Sequence, residues 1–294
     1  MNSIRRSAGE RIFEVFNIIL MVVIALIMIY PLLYVIFSSF SDPYALAAHS
    51  GLLLKPQGFS IEAYRMMSKN SMILTGYANT LFVVVVGTTL NIVLTALGAY
   101  FLSTKGPMFK KPITIMIIVT MYFSGGMIPL YFTVTGLGLE DNLLALILPS
   151  AINTFNLIVM KTAFQAVPES MKESAYLDGA GELTTLFRVV LPLAKATIAV
   201  LLLYYAVDHW NAWFNASLFI NDRTLYPLQL VLREILIQSD TSSMSVGTLS
   251  DDQYAISETI KYAVTVAATI PILCIYPFLQ KYFEKGIMIG AVKG

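Results

Sequence analysis

The sequence predicts an all-α integral membrane protein with six transmembrane helices. Composition is the first observation behind this. Of the 294 residues 57% are hydrophobic and 13% charged, against about 45–50% and 25% in soluble domains. The second is a set of long uncharged runs, which keep the mean hydropathy at +0.72. The third is run length: about 20 apolar residues cross the hydrocarbon core as a helix, and a backbone in lipid must satisfy its own hydrogen bonds. Barrel strands would give alternating segments of about ten residues instead. A net charge of +1 supplies no field for nucleic acid, and the single cysteine, Cys274, excludes an internal disulfide.

The runs place helices at roughly 14–38, 76–102, 112–134, 142–163, 193–216 and 258–280. The first follows Arg5, Arg6 and Arg11, as a signal peptide would. It is too long for an apolar signal core of about 7–15 residues, so it reads as a retained anchor. Six spans put both termini on one side. Thirteen of the nineteen lysines and arginines fall on that side and six on the other, which makes both termini cytoplasmic. The organisation is a cytoplasmic N-terminus at 1–13, a transmembrane domain at 14–280 and a cytoplasmic tail at 281–294, with outside segments near 39–75 and 217–257.

The cytoplasmic stretch at about 165–193 is more than a connector. Pro168 suits the first turn of a helix, Glu169 the positive end of its dipole, and Gly179 its stop. A second short helix runs from about Glu182 to Val190, before Leu191-Pro192. Two short helices at a bend make a rigid knob; an amphipathic loop lying on the membrane is the plainer reading.

Glu173-Ser174-Ala175, then Gly179 six residues after the glutamate, then Val189-x-Leu191-Pro192, resembles the docking-loop signature of permeases from binding-protein-dependent ABC importers. Ser174 departs from the usual alanine, small for small. Tyr176-Leu177-Asp178-Gly179-Ala180, Phe187, Asp208-His209-Trp210-Asn211, Tyr226-Pro227-Leu228-Gln229 and the ending Gly286 to Gly294 resemble the carbohydrate-uptake, maltose-type branch, nearest its oligosaccharide members. The resemblance covers nearly the whole chain.

It implies the type I importer permease fold. It also implies sugar uptake by alternating access, driven by a separate ATPase that carries the ATP and Mg. The helix ending at Gly179 would dock in that ATPase, with Glu173 as the charged contact. Ser174 and Ala175 would allow close approach, Tyr176, Leu177, Asp178 and Ala180 would complete the face, and Gly179 would set the bend. The tail residues Gly290, Ala291, Val292 and Lys293 would reach the ATPase dimer. The implied partners are a sibling permease, two ATPase subunits, an extracellular solute-binding protein, the sugar and the lipid of a bacterial plasma membrane.

The chain has no GxxxxGK[ST] loop, so it is expected not to hydrolyse ATP and to be no enzyme. No metal-ligand spacing or hydrolase triad is present, so no catalytic residue, metal or cofactor is assigned. Ionisable residues inside a span are functional candidates. Asp208 and His209, with Trp210 and Asn211, are a candidate lining of the sugar path: aromatic faces stack on sugars, and amides and carboxylates bond hydroxyls. Asn79, Asn153 and Asn156 join that list, although helix-to-helix bonding is the plainer reading for each amide, Asn91 included. Three rivals stay open: an ABC permease for another solute, an ion-coupled secondary transporter, and a membrane scaffold. Asp208 is nearly alone in mid-membrane, which counts against ion coupling.

Overall fold

The computed structural model describes residues 8–106, 108–244, 259–275 and 277. Among these the regular structure is helical. In chain order the helices are α1 (Ala8–Ser39), α2 (Pro43–Ala47), α3 (Glu62–Lys69), α4 (Ser71–Ser103), α5 (Lys110–Tyr122), α6 (Met127–Gly136), α7 (Thr154–Gln165), α8 (Glu169–Leu177), α9 (Glu182–Thr185), α10 (Leu191–Leu193), α11 (Lys195–Trp210), α12 (Trp213–Phe219), α13 (Leu228–Met244) and α14 (Thr259–Ile275). Two short 3₁₀ turns precede α7, and a π segment at Leu186–Val190 joins α9 to α10.

Two helices, at Gly9–Ser39 and Ser71–Ser103, are long and apolar enough to cross a membrane alone; counting each bent pair as one span raises the number to five, and α14 is a shorter apolar helix. Within the described residues, which cover 259–275 and 277 of the last run, the six apolar runs appear as helix, but three are broken. The run at 112–134 bends by 113° between α5 and α6. Gly126, at φ +83°, takes the backbone where a side chain would be strained. The run at 142–163 bends by 51° before α7, because Asn153 caps that helix by accepting the Asn156 N–H at 3.1 Å. The run at 193–216 starts after an 89° bend at Ala194 and ends at Trp210. Asn211 and Ala212 separate it from α12. The first two bends have local causes in a glycine and a capping residue, which hydropathy does not register.

The chain divides into two compact units. In Met1–Asn70 with Ile235–Ala268, α1 turns its apolar side chains outward along its whole length, as lipid permits. The Tyr30 hydroxyl accepts the Leu53 N–H at 3.1 Å, and Tyr34 meets Tyr262 edge-on at 5.9 Å. Asp42 caps α2, and Phe40 stacks on Phe59 at 5.9 Å.

In Ser71–Glu234 with Thr269–Gly294, α4 packs against both α7 and α11. One core joins Leu102, Leu157, Met160, Phe164, Leu186, Val190 and Leu201, so the segment after α8 is seated among the spans. A second core, around Val83, Leu146, Ile147 and Phe219, fills the opposite end. There Thr80 Oγ1 accepts the Leu228 N–H at 2.8 Å, and Gly76 lets the Leu228 backbone come within 3.2 Å of where a Cβ would stand.

Candidate functional site

Two places in the second unit carry chemistry: the face of α8 and a polar cavity among α5, α7 and α11.

The α8 face is built locally. Pro168 starts the helix and Glu169 fills its first turn, 3.8 Å from Lys105. At the other end Gly179 sits at φ +81°, the Gly179 N–H donates to Tyr176 O at 3.0 Å, and the Ala180 N–H donates to Ala175 O at 2.9 Å. These two bonds are the Schellman stop that a glycine in the left-handed region allows. Glu173, Ser174, Asp178 and Gly179 are exposed, Tyr176 partly so, and Ala175 and Ala180 half-buried. Leu177 is 89% exposed. Glu173 and Leu177 are four residues apart and share a face. A carboxylate beside a bare leucine on a short, firmly stopped helix is a surface that can insert into a partner's cleft. Lys172 points the other way and is 4% exposed.

The cavity holds about 400 Å³ and is lined by Thr120, Ser150, Asn153, Tyr205, Asp208 and His209, with apolar neighbours such as Phe155. A smaller one of about 160 Å³ lies beside it, lined by Ser150, Asp208, His209, Asn211 and Asn215 among others. Ser150, Asp208 and His209 line both and form their common wall.

Buried bonds between elements hold this wall. Asn91, on α4, donates both amide hydrogens, to Ser150 O at 2.6 Å and Ala151 O at 2.9 Å. Its amide oxygen therefore faces His209 Nε2 at 2.6 Å, and the imidazole donates. His209 is 4% exposed and lies flat on Gly87, where a Cβ would come within 2.5 Å of Nε2. The Tyr205 hydroxyl oxygen accepts the Asn153 N–H at 3.1 Å and shares a hydrogen bond with Thr95 Oγ1 at 2.7 Å. The Ser150 and Ala151 carbonyls and the Asn153 N–H, at a break in the helix, are thus met by side chains of α4 and α11, as a lipid setting requires.

The structure brings Asn153 and Asp208 together at the larger cavity and adds Asn211 at the smaller. The other path candidates lie elsewhere. Asn79 donates to Thr224 O at 2.8 Å and Tyr226 O at 3.1 Å, tying α4 to the segment before α13. Asn156 is buried in α7. Trp210 lies edge-on to Tyr77 at 6.4 Å and lines an apolar groove with Val84, Thr88 and Leu203. Gly290, Ala291, Val292 and Lys293 lie outside the described residues. Sequence reasoning passed over Tyr205 and Thr95. A tyrosine deep in an apolar helix was the available signal, since its hydroxyl needs a partner when buried.

Residues 106–289 match the family of binding-protein-dependent transport system inner membrane components, and the chain belongs to that family. It is a membrane-spanning permease rather than an enzyme. A Bacillus subtilis polygalacturonan/rhamnogalacturonan transport system permease protein, YtcP, is 41% identical, with 97% of this chain and 99% of that one covered. Protein LplC of the same organism is 41% identical over 100% of this chain and 99% of its own length. A crystal structure of a bacterial ABC transporter involved in the import of the acidic polysaccharide alginate superposes with a TM-score of 0.87 at 30% identity, over 96% of this chain and 100% of the matched one. The type I permease fold expected from the sequence is therefore the fold found.

Proposed function

We propose that this chain forms one half of the transmembrane path of an ABC importer that brings oligosaccharides into a bacterial cell. The observation that carries the substrate class is full-length similarity, at 41% identity, to a polygalacturonan/rhamnogalacturonan permease. The cavity supports it. Its hydroxyls, its amide and one carboxylate, set beside Phe155, suit a ligand with many hydroxyls and apolar C–H faces. Asp208 is the group that would meet such hydroxyls from two sides.

In this reading a sibling permease supplies the other half of the path, and a solute-binding protein delivers the sugar from outside. Two ATPase subunits carry ATP and Mg at the cytoplasmic face, where both termini lie. The α8 face docks one ATPase through Glu173 and Leu177, with Ser174 and Asp178 beside them, and the tail at Gly290 to Lys293 approaches the ATPase pair. ATP can drive alternation only if it binds one permease arrangement better than the other. The docked α8 is where that difference enters this chain.

The test is a mild-detergent pull-down of the tagged chain from its own cells, wild type beside Glu173→Lys. Wild type should bring a second permease and an ATPase, and the mutant should insert normally but lose the ATPase. Wild type emerging without any ATPase would overturn the reading. Uptake of labelled oligogalacturonides with Asp208→Asn tests the path: unchanged kinetics would remove Asp208 from it.

A further inference from the structure

One carboxylate fastens the docking helix to a span. Glu182, the first residue of α9, accepts the Tyr100 hydroxyl at 2.6 Å and the Tyr176 hydroxyl at 2.9 Å on the same oxygen, Oε2. The two phenol oxygens are 3.2 Å apart. Both protons point at Glu182, so both bonds are charge-assisted and short. The three residues come from three elements: Tyr176 from the last turn of α8, Glu182 from the start of α9, and Tyr100 from the cytoplasmic end of α4.

The backbone between α8 and α9 is a poor strut. It is a bend of four residues, Asp178 to Gly181, with glycine at two of them. A rotation of α8 about this bend would leave α4 behind unless a side chain tied the two. The Glu182 clamp is such a tie. Breaking it leaves the Tyr100 hydroxyl, on a residue only 7% exposed, without its carboxylate acceptor. Burial, with the Glu182 carboxylate beside it, also holds the Tyr176 phenol above its ordinary value, so it keeps its proton and goes on donating.

The far end of the tie is the cavity. The same α4 carries Thr95, bonded to Tyr205, and Asn91, bonded to His209 and to the carbonyls of Ser150 and Ala151. Hydrogen bonds and helix α4 therefore run without a gap from Tyr176 on the docking face to the wall shared by the two cavities.

We propose that Tyr100 and Glu182 are positioning residues that pass the movement of the docking helix to α4 and so to the cavity wall. This rests on the reading that α8 docks an ATPase. A contiguous chain of contacts is only a route, and coupling has to be measured along it.

The experiment uses the complete transporter, purified with its ATPase and sibling permease in nanodiscs. Hydrogen–deuterium exchange is followed with and without ATP and vanadate, for wild type, Tyr100→Phe and Glu182→Gln. Tyr100→Phe removes one oxygen and keeps the ring. In wild type, trapping with nucleotide should change exchange at both α8 and the cytoplasmic end of α4. In Tyr100→Phe the α8 change should persist while the α4 change falls about tenfold, one broken charge-assisted bond's worth. Labelled oligogalacturonide moved per ATP hydrolysed should fall with it, and adding Glu182→Gln to Tyr100→Phe should add little. An α4 response equal to wild type in Tyr100→Phe would overturn the proposal, and so would failure of that variant to assemble, since the hydroxyl would then serve folding. If nucleotide changes neither helix in wild type, the docking reading fails first, a result recognisable without any variant.

Discussion

The docking face and the cavity wall use polar groups in opposite ways. The face of α8 comes from one short stretch of chain, leaves Glu173, Ser174 and Asp178 in solvent, and is shaped by its own backbone through Pro168 and Gly179. The cavity wall is gathered from residues up to 118 positions apart, as Asn91 and His209 are, and both amide hydrogens of Asn91 have acceptors there. An exposed carboxylate costs the fold almost nothing to change, because water serves it equally well on either side of the transition. A buried amide holding three partners is costly, because each partner left behind is desolvated and unpaired. The two regions should therefore separate stability from function.

Gly87→Val is the sharpest way to break the wall. Its Cβ would stand 2.5 to 2.9 Å from three atoms of the His209 ring. The ring is buried and held by Asn91, so it cannot swing aside cheaply. Overpacking costs about 1–3 kcal/mol, and a displaced His209 adds the loss of its bond to Asn91. We expect little folded protein at 37 °C, read by size-exclusion profile after extraction. A normal profile and an unchanged Tm would mean the wall is softer than its packing indicates.

Asn91→Leu should come next. It leaves the Ser150 and Ala151 carbonyls and the buried His209 Nε2 without their partner. The expected loss is about 2–4 kcal/mol, a fall of several degrees in Tm. Asn79→Leu makes a useful comparison: its two carbonyl partners lie in a partly exposed segment, so water can replace it and the loss should be smaller.

Those two asparagines mark where sequence reasoning stops. The apolar runs, the two short helices after Pro168 and the glycine stop are local patterns, and each appears among the described residues near its expected place. What an amide in a span faces is not local. Asn79 meets carbonyls 145 and 147 residues away, and Asn91 meets carbonyls 59 and 60 residues away. No periodicity distinguishes an amide that ties two elements from one that meets a ligand. Asn79 ties α4 to the segment before α13, while Asn153 lines the cavity and also caps α7. Gly125-Gly126 with Pro129 signals a loosened third span in the sequence, but hydropathy averages over Asn153, whereas the backbone turns at single residues.

Gly179→Ala probes the docking face, where the stability effect should be smaller. Nothing lies within 4 Å of an added Cβ, so the cost is backbone alone, about 1 kcal/mol for a side chain in the left-handed region. That cost falls on the stop of α8 rather than on the core. Tm should change by under about 3 °C, while the ATPase recovered in a pull-down falls several-fold. Equal recovery would mean the bend at Gly179 can be reached by other backbone geometries without moving Glu173.

The smallest effect should come from Asp141, in the loop between α6 and the 3₁₀ turns before α7. Its carboxylate accepts the Asp222 N–H at 2.9 Å and the Asn221 N–H as well. These backbone donors hold its pKa below the ordinary carboxylate range. A depressed folded pKa means the interaction is fully present at neutral pH and is lost as pH falls through the folded value, below about 4. Asp141→Asn keeps an acceptor oxygen and tolerates the backbone at φ +53°, so it removes the charge alone. The group is exposed, so at pH 7 wild type should exceed the variant by under about 2 °C in Tm, with the gap closing below pH about 4. A gap that stayed constant down to acid would show that the contribution is the hydrogen bonding any acceptor can supply, with no part for the charge.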